Sequence, residues 1–303
     1  MAELSGAKIL ITGPTGLVAT PVTLALSRSN EVWGVARFRD PVLRRNLMDA
    51  AVRCVDINLV DGDFAHLPTD FDYVLNLAVV KSGRFDKDLV ANAESLGLLM
   101  SHCRKARAFL HCSTTGVYQP DGHRAFAEGD ALGDNHRSLM PTYSIAKISA
   151  EVVARYCARE FNLPTVIARL NVPYGDGGGW PGFHLEQILA DDPVSVNPDA
   201  PSLYNPIHFD DIIGHIPSLL AVASVPATTL NWAGPDSVSI EEWCEFMGEL
   251  VGREPRFVIS ESALSSVRTD NTLMNKLIGP AQVAWKDGMT RMVKALHPEA
   301  LGT

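Results

Sequence analysis

The stretch "ILITGPTGLVATPVTLALSRSNEVWGVARFRDP", Ile9 to Pro41, decides the fold. It opens on an apolar run, bends through Gly13, Pro14, Thr15 and Gly16, continues as a helix-compatible segment, and re-enters a β-rich run at Glu31. Strand, glycine turn, helix and strand in that order make a βαβ unit whose turn can cradle a pyrophosphate. Glycine permits the tight bend and the close approach of backbone N–H groups, and the positive helix end favours the anion. Gly13, Thr15, Gly16, Leu17 and Val18 are the cofactor contacts this reading predicts. The third small position is Ala19, where helix and strand pack closely.

At the end of the second strand an NAD site usually carries an acid that binds the ribose 2'-hydroxyl. Residues 33–37 contain none; Arg37 stands there, with Arg39 beyond. A guanidinium can grip a 2'-phosphate bidentately, so NADP is the preferred cofactor, with NAD as the alternative through Asp40. Asp56 and Ile57, at the end of the third strand, stand where an adenine contact is expected.

Outward from this unit the alternation continues through "VRCVDI", "YVLNLA", "AFLHCS" and "PTVIARL", with helical periodicity near residues 16–28, 86–105 and 142–161. The fold class is α/β, a Rossmann-type doubly wound parallel sheet with a smaller C-terminal substrate lobe. Residues 1–172 read as the nucleotide-binding domain and 173–303 mainly as the lobe, with about 206–235 returning to the first domain. From Tyr174 to Pro206 the glycines and prolines read as loop or flap; "SIEEWCEFMGELVG" and "AQVAWKDGMTRMVKAL" read as helices of the lobe.

Composition bounds the partners. The formal charge of −9 opposes binding to nucleic acid or an anionic membrane, which leaves a small-molecule substrate. No apolar run is long enough to span a bilayer, and the opening "MAELSGAKILITG" shows no leader pattern. The five scattered cysteines have no metal-ligand spacing, so a cytoplasmic location and no metal are expected.

In "TYSIAKISAE", Tyr143 and Lys147 are four residues apart, on one face of a helix. An ammonium beside a phenol stabilises the phenolate and draws its pKa toward working pH, so the tyrosine can exchange a proton with a carbonyl or alcohol during hydride transfer. Ser113, Thr114 and Thr115 end the fifth strand with hydroxyls at the sheet edge, and Leu77 and Ala78 close the fourth where a cofactor packs.

Residues 8–215, from "TGPTGLVA" through "NLA", "STTGVY", "YSIAK" and "RLNVPYG" to "NPIHFDD", resemble an extended short-chain dehydrogenase/reductase of the NAD-dependent epimerase/dehydratase group. The resemblance implies that Tyr143 is the acid/base, that Lys147 lowers its pKa and bonds the nicotinamide ribose, and that Thr114 orients the reacting oxygen. It adds Ser113 to the cofactor contacts, matches Asn92 to a family position that is otherwise a polar helix-surface residue, and carries an expectation of a homodimer. It reads His208, Asp210 and Asp211 as structural.

Two departures bear on the substrate. Sugar-nucleotide members of the group carry an asparagine three residues after the arginine of "RxxNVYG" and an arginine four before the histidine of "RDYIHV". Here Val172 and Tyr204 stand in those places, with Asn171 displaced by one. An apolar or aromatic carbonyl substrate therefore fits better, and "VWGVARFRDP" also resembles NADPH-dependent enone and iridoid-type reductases. The leading expectation is an NAD(P)-dependent oxidoreductase acting on a small carbonyl or its alcohol. The alternatives are a nucleotide-sugar epimerase or dehydratase with internally recycled NAD, and a non-catalytic NADP-sensing regulator.

Overall fold

A run of β-branched and leucine side chains buried on both faces starts the sheet. Ile9, Leu10 and Ile11 are all fully buried, as a central parallel strand covered by helices requires. The computed structural model describes residues 4–300; Met1, Ala2 and Glu3, part of the segment read as lacking a leader, lie outside the described residues.

The strands are β1 (Lys8–Thr12), β2 (Glu31–Ala36), β3 (Arg53–Asp56), β4 (Tyr73–Asn76), β5 (Ala108–Thr114), β6 (Thr165–Leu170) and β7 (Thr228–Trp232). They form one seven-stranded sheet in the order β7-β6-β5-β4-β1-β2-β3. The pairs β1–β2, β1–β4, β2–β3 and β4–β5 are parallel. Strand order reverses between β1 and β4, and a ligand crevice opens outside the carboxyl ends of strands at such a switch point. Register sets Thr12 opposite both Val35 and Asn76, which brings the turns after β1, β2 and β4 to one edge.

Five helices matter for the site: α1 (Ala19–Leu26), α2 (Pro41–Asp49), α3 (Phe85–Leu89), α4 (Ser95–His102) and α5 (Tyr143–Glu160). A π-helical turn, Val90–Glu94, joins α3 to α4. Sequence periodicity did not indicate α2; it is set by its ends, with Pro41 in the first turn and the Asp40 carboxylate accepting from the Val42 and Leu43 N–H groups.

The chain forms two compact units. One holds the chain up to Thr114, Ile145–Arg169 and Ile213–Leu230; the other holds Thr115–Ser144, Leu170–Ile212 and the chain from Asn231. In the second, the helices Trp180–Leu189, Ile240–Val251 and Trp285–Leu296 enclose an apolar core that includes Leu185, Ile188, Trp243, Met247, Met289 and Met292.

The loop reading of 174–206 is corrected over Trp180–Leu189. Pro181 sits in the first helical turn, where no N–H is needed, and Pro181, His184, Leu185 and Ile188 line one buried face. The helix read from Ala281 begins at Trp285. Ile240–Val251 follows its sequence signals closely, with a Ser239–Glu242 capping box and a left-handed Gly252 at its end.

Candidate functional site

Gly13 has φ +65°, and its N–H donates to Val35 O at 2.9 Å. A Cβ there would stand 3.0 Å from Ala78 Cα, so only glycine lets the turn lie against the end of β4. Thr12 clasps the same edge: its hydroxyl donates to Asn76 Oδ1 at 2.7 Å and accepts from the N–H groups of Leu77 and Ala78, both at 3.1 Å. Thr20 closes the start of α1 by donating to the carbonyls of Pro14 and Gly16.

These turns wall a cleft of about 890 Å³ in the first unit. Of the predicted contacts, Gly13, Thr15, Gly16, Arg37, Ile57, Leu77 and Ala78 line it. Leu17, Val18 and Asp56 are not on its wall, and Leu17 and Asp56 are exposed. Asn58, Leu59, Val60, Val79 and Val80 also line it and were missed; their signal is their place just past the ends of β3 and β4. The cradle suits a dinucleotide, with a glycine turn leading into a helix and an apolar strand edge beside it.

Both arginines that follow β2 stand on the cleft wall. Phe38, at φ 35°, is buried under the Arg44 guanidinium, which lies 5.4 Å from its ring centroid, and the neighbouring Arg37 and Arg39 both line the cleft. Asp40 lines it too, but its Oδ1 caps α2.

Tyr143 opens α5 and Lys147 follows one turn later. The Lys147 ammonium is buried and donates to Cys112 O at 2.8 Å. Burial lowers its pKa; the Cys112 and Glu151 sites oppose the shift, and the charge of Lys81 adds to it. Lys81, which sequence reading did not single out, is therefore electrostatically coupled to Lys147. Its loop is pinned from both sides: Asn92 bonds the N–H and the carbonyl of Val80, each at 2.9 Å, and Asp88 accepts from Ser82 and Gly83. Asn92 is buried in the π-helical turn, not a polar residue of a helix surface.

Thr114 is the buried last residue of β5. The Ser113 hydroxyl is committed to Glu151 Oε1 at 2.6 Å. Glu151 also accepts from Arg169 at 2.9 and 2.8 Å and from Arg155 at 3.2 Å. Burial pushes this carboxyl up, but its bonds to Arg169, Ser113 and Arg155 outweigh burial and hold it below the usual carboxylate range. The buried pair ties α5 to β6 and so fixes the register of Lys147.

In the second unit Tyr143 packs against His136, with ring centroids 5.2 Å apart and planes at 59°. Its N–H donates to Met140 O at 3.0 Å. Ser144 donates to Gly116 O at 2.7 Å and accepts from the His136 N–H at 3.2 Å.

The NAD dependent epimerase/dehydratase family profile matches residues 9–211. The chain belongs to that family. Its fold is the extended short-chain dehydrogenase/reductase fold of the solved relatives. It is 23% identical to an uncharacterized UDP-glucose epimerase, YtcB, of Bacillus subtilis, over 95% of this chain and 98% of that one. The UDP-glucuronic acid 4-epimerase of Bacillus cereus, solved with UDP-glucuronic acid and NAD, superposes with TM-score 0.81 at 22% identity, covering 96% and 100% of the two chains. The UDP-N-acetylglucosamine 4-epimerase of Methanobrevibacter ruminantium superposes at TM-score 0.84 and 16% identity, covering 98% and 100%.

Both family departures are buried. The Tyr204 hydroxyl donates to Ser265 O at 2.7 Å, its ring meets Trp180 at 5.1 Å, and burial pushes its pKa up. Val172 is in the core of the second unit; Asn171 donates to Val267 O and accepts from the N–H groups of Val172 and Asn205. The family's "IHFDD" segment is structural: Asp210 N–H donates to His208 Nδ1, and Asp211 accepts from Gln282 and Val283 at 2.7 and 3.0 Å.

Among the described residues no group of three His, Cys, Asp or Glu could hold a metal, and no helix is long and apolar enough to cross a membrane. All five cysteines are free thiols; Cys103, Cys157 and Cys244 are buried.

Proposed function

We propose that this chain binds a nicotinamide dinucleotide and epimerises or dehydrates a nucleotide-linked sugar, oxidising one of its alcohols transiently and returning the hydride. The observation that carries the reading is α5, with Tyr143 at its start and Lys147 buried and pinned to Cys112 O one turn later. The names of the three relatives given above, each a sugar-nucleotide epimerase, support the substrate class.

The dinucleotide, when bound, supplies the hydride acceptor. Tyr143 takes the proton of the substrate hydroxyl and later gives one back. Lys147 favours its phenolate by charge, and the Thr114 hydroxyl donates to the reacting oxygen. Arg37 and Arg39 on the cleft wall, with Asp40 engaged as a helix cap, support NADP over the NAD of the solved relatives.

A second reading, net reduction of a small carbonyl, is favoured by one observation. Tyr204 and Val172, where sugar-nucleotide members carry polar residues, are core residues with no charge to offer a diphosphate.

The test is to denature the purified protein, identify the released dinucleotide, and follow UDP-glucose and UDP-glucuronic acid by NMR in the presence of enzyme. A changed sugar with constant NADPH absorbance is expected. Net NADPH consumption with a carbonyl compound, and inert sugars, would select the reductase reading.

A further inference from the structure

Two consecutive residues, Asp134 and Asn135, carry buried hydrogen-bonding atoms with no partner in the protein, just before the residue that packs on Tyr143. Asn135 is 7% exposed, and neither its Nδ2 nor its Oδ1 has a partner. Asp134 Oδ1 is likewise buried and unmet, and burial raises the pKa of that carboxyl. The next residue, His136, packs on the Tyr143 ring and fills the space over Gly116, where a Cβ would collide with the imidazole. Ser144 ties His136 to Gly116. The segment is thus fixed to the acid/base tyrosine within one unit. A buried amide with neither end bonded carries a desolvation cost that a structural role does not explain.

We infer that Asn135 is a specificity residue whose amide bonds hydroxyls of the substrate next to the reacting carbon. This rests on the sugar reading given above and deepens it. An amide presents a donor and an acceptor side by side, and adjacent hydroxyls of a sugar ring offer the matching acceptor and donor. A carboxylate or phosphate fits worse: it leaves Oδ1 unmet and brings negative charge toward Asp134. An apolar carbonyl compound leaves both amide atoms unmet. Both atoms are shielded in the ligand-free protein, so the segment around Asn135 shifts to admit the sugar, and two unmet groups become bonded.

The test compares the purified holoprotein with its Asn135→Leu variant, which keeps the volume and removes the polar atoms. Calorimetric titration uses UDP-glucose and, as the sugarless probe, UDP; thermal melts are run without either. Replacing an unmet amide by an apolar group of its shape leaves the Tm equal or higher, while affinity for UDP-glucose falls about tenfold and that for UDP is unchanged. A lowered Tm overturns the inference, because the amide is then bonded inside the protein. So does an unchanged UDP-glucose affinity, which leaves the sugar reading standing. Failure of the wild-type protein to bind either nucleotide overturns that reading and the ligand assigned to Asn135 together.

Discussion

At the scale of single residues, the site depends on charges whose surroundings are built for them. Lys147 is held at Cys112 O by a bond that leaves its ammonium little freedom, and its charge lies one helical turn from Tyr143. Replacing Tyr143 by Phe removes only the hydroxyl, so proton transfer fails while the cleft in the first unit is untouched. Turnover should fall by roughly 10²–10⁴-fold, with dinucleotide affinity unchanged in a fluorescence titration. Loss of dinucleotide binding instead would reassign the residue to cofactor positioning. Tyr143 and Lys147 were legible in sequence because their relation is local, four residues on one helix. Lys81 was not, and Asn92 was matched to a family position without its burial or its bonds to Val80, because both depend on a loop that closes back on the π-helical turn.

At the scale of elements, the helix Trp180–Leu189 is joined to Ile240–Val251 by a buried imidazole. Trp243 Nε1 donates to His184 Nδ1 at 2.9 Å, the two rings are stacked, and burial holds the pKa of His184 down at about 4 against an ordinary 6.5. The folded state thus resists protonating His184, while the unfolded chain takes up the proton first. Its contribution is complete above pH 6.5 and is lost as the pH falls toward 4, by about 3 kcal/mol over that window. Between about pH 7 and pH 5 the wild-type Tm should fall, and His184→Gln should flatten that slope in thermal melts. An unchanged slope would mean that the imidazole titrates normally. This helix was hidden from periodicity because "GDGGGWPGF" carries the residues of a loop, and Pro181 is compatible with a first turn only once the apolar face has somewhere to pack.

At the scale of the whole molecule, cofactor choice is a linkage question, since any ligand of the native state raises its stability. A dinucleotide at about a hundred times its Kd adds roughly 2.7 kcal/mol. At equal concentration NADP should raise the Tm more than NAD, and Arg37→Ala should abolish the difference by weakening NADP alone, about tenfold or more. Equal shifts in the wild-type protein would return the choice to NAD, as in the solved Bacillus cereus relative.

The sequence by itself determined the strand–turn–helix order, the glycine turn, the Tyr143–Lys147 spacing and the arginines after β2. Each is a relation between residues close in the chain, where backbone conformation and helical period act directly. Only the tertiary structure decided that Thr115–Ser144 joins the second unit, that Ser113 turns to Glu151, and that Tyr204 is a core residue bonded to Ser265. Those outcomes depend on which distant segments meet. Burial, bond partners and unmet groups such as the Asn135 amide come into being only when the segments pack.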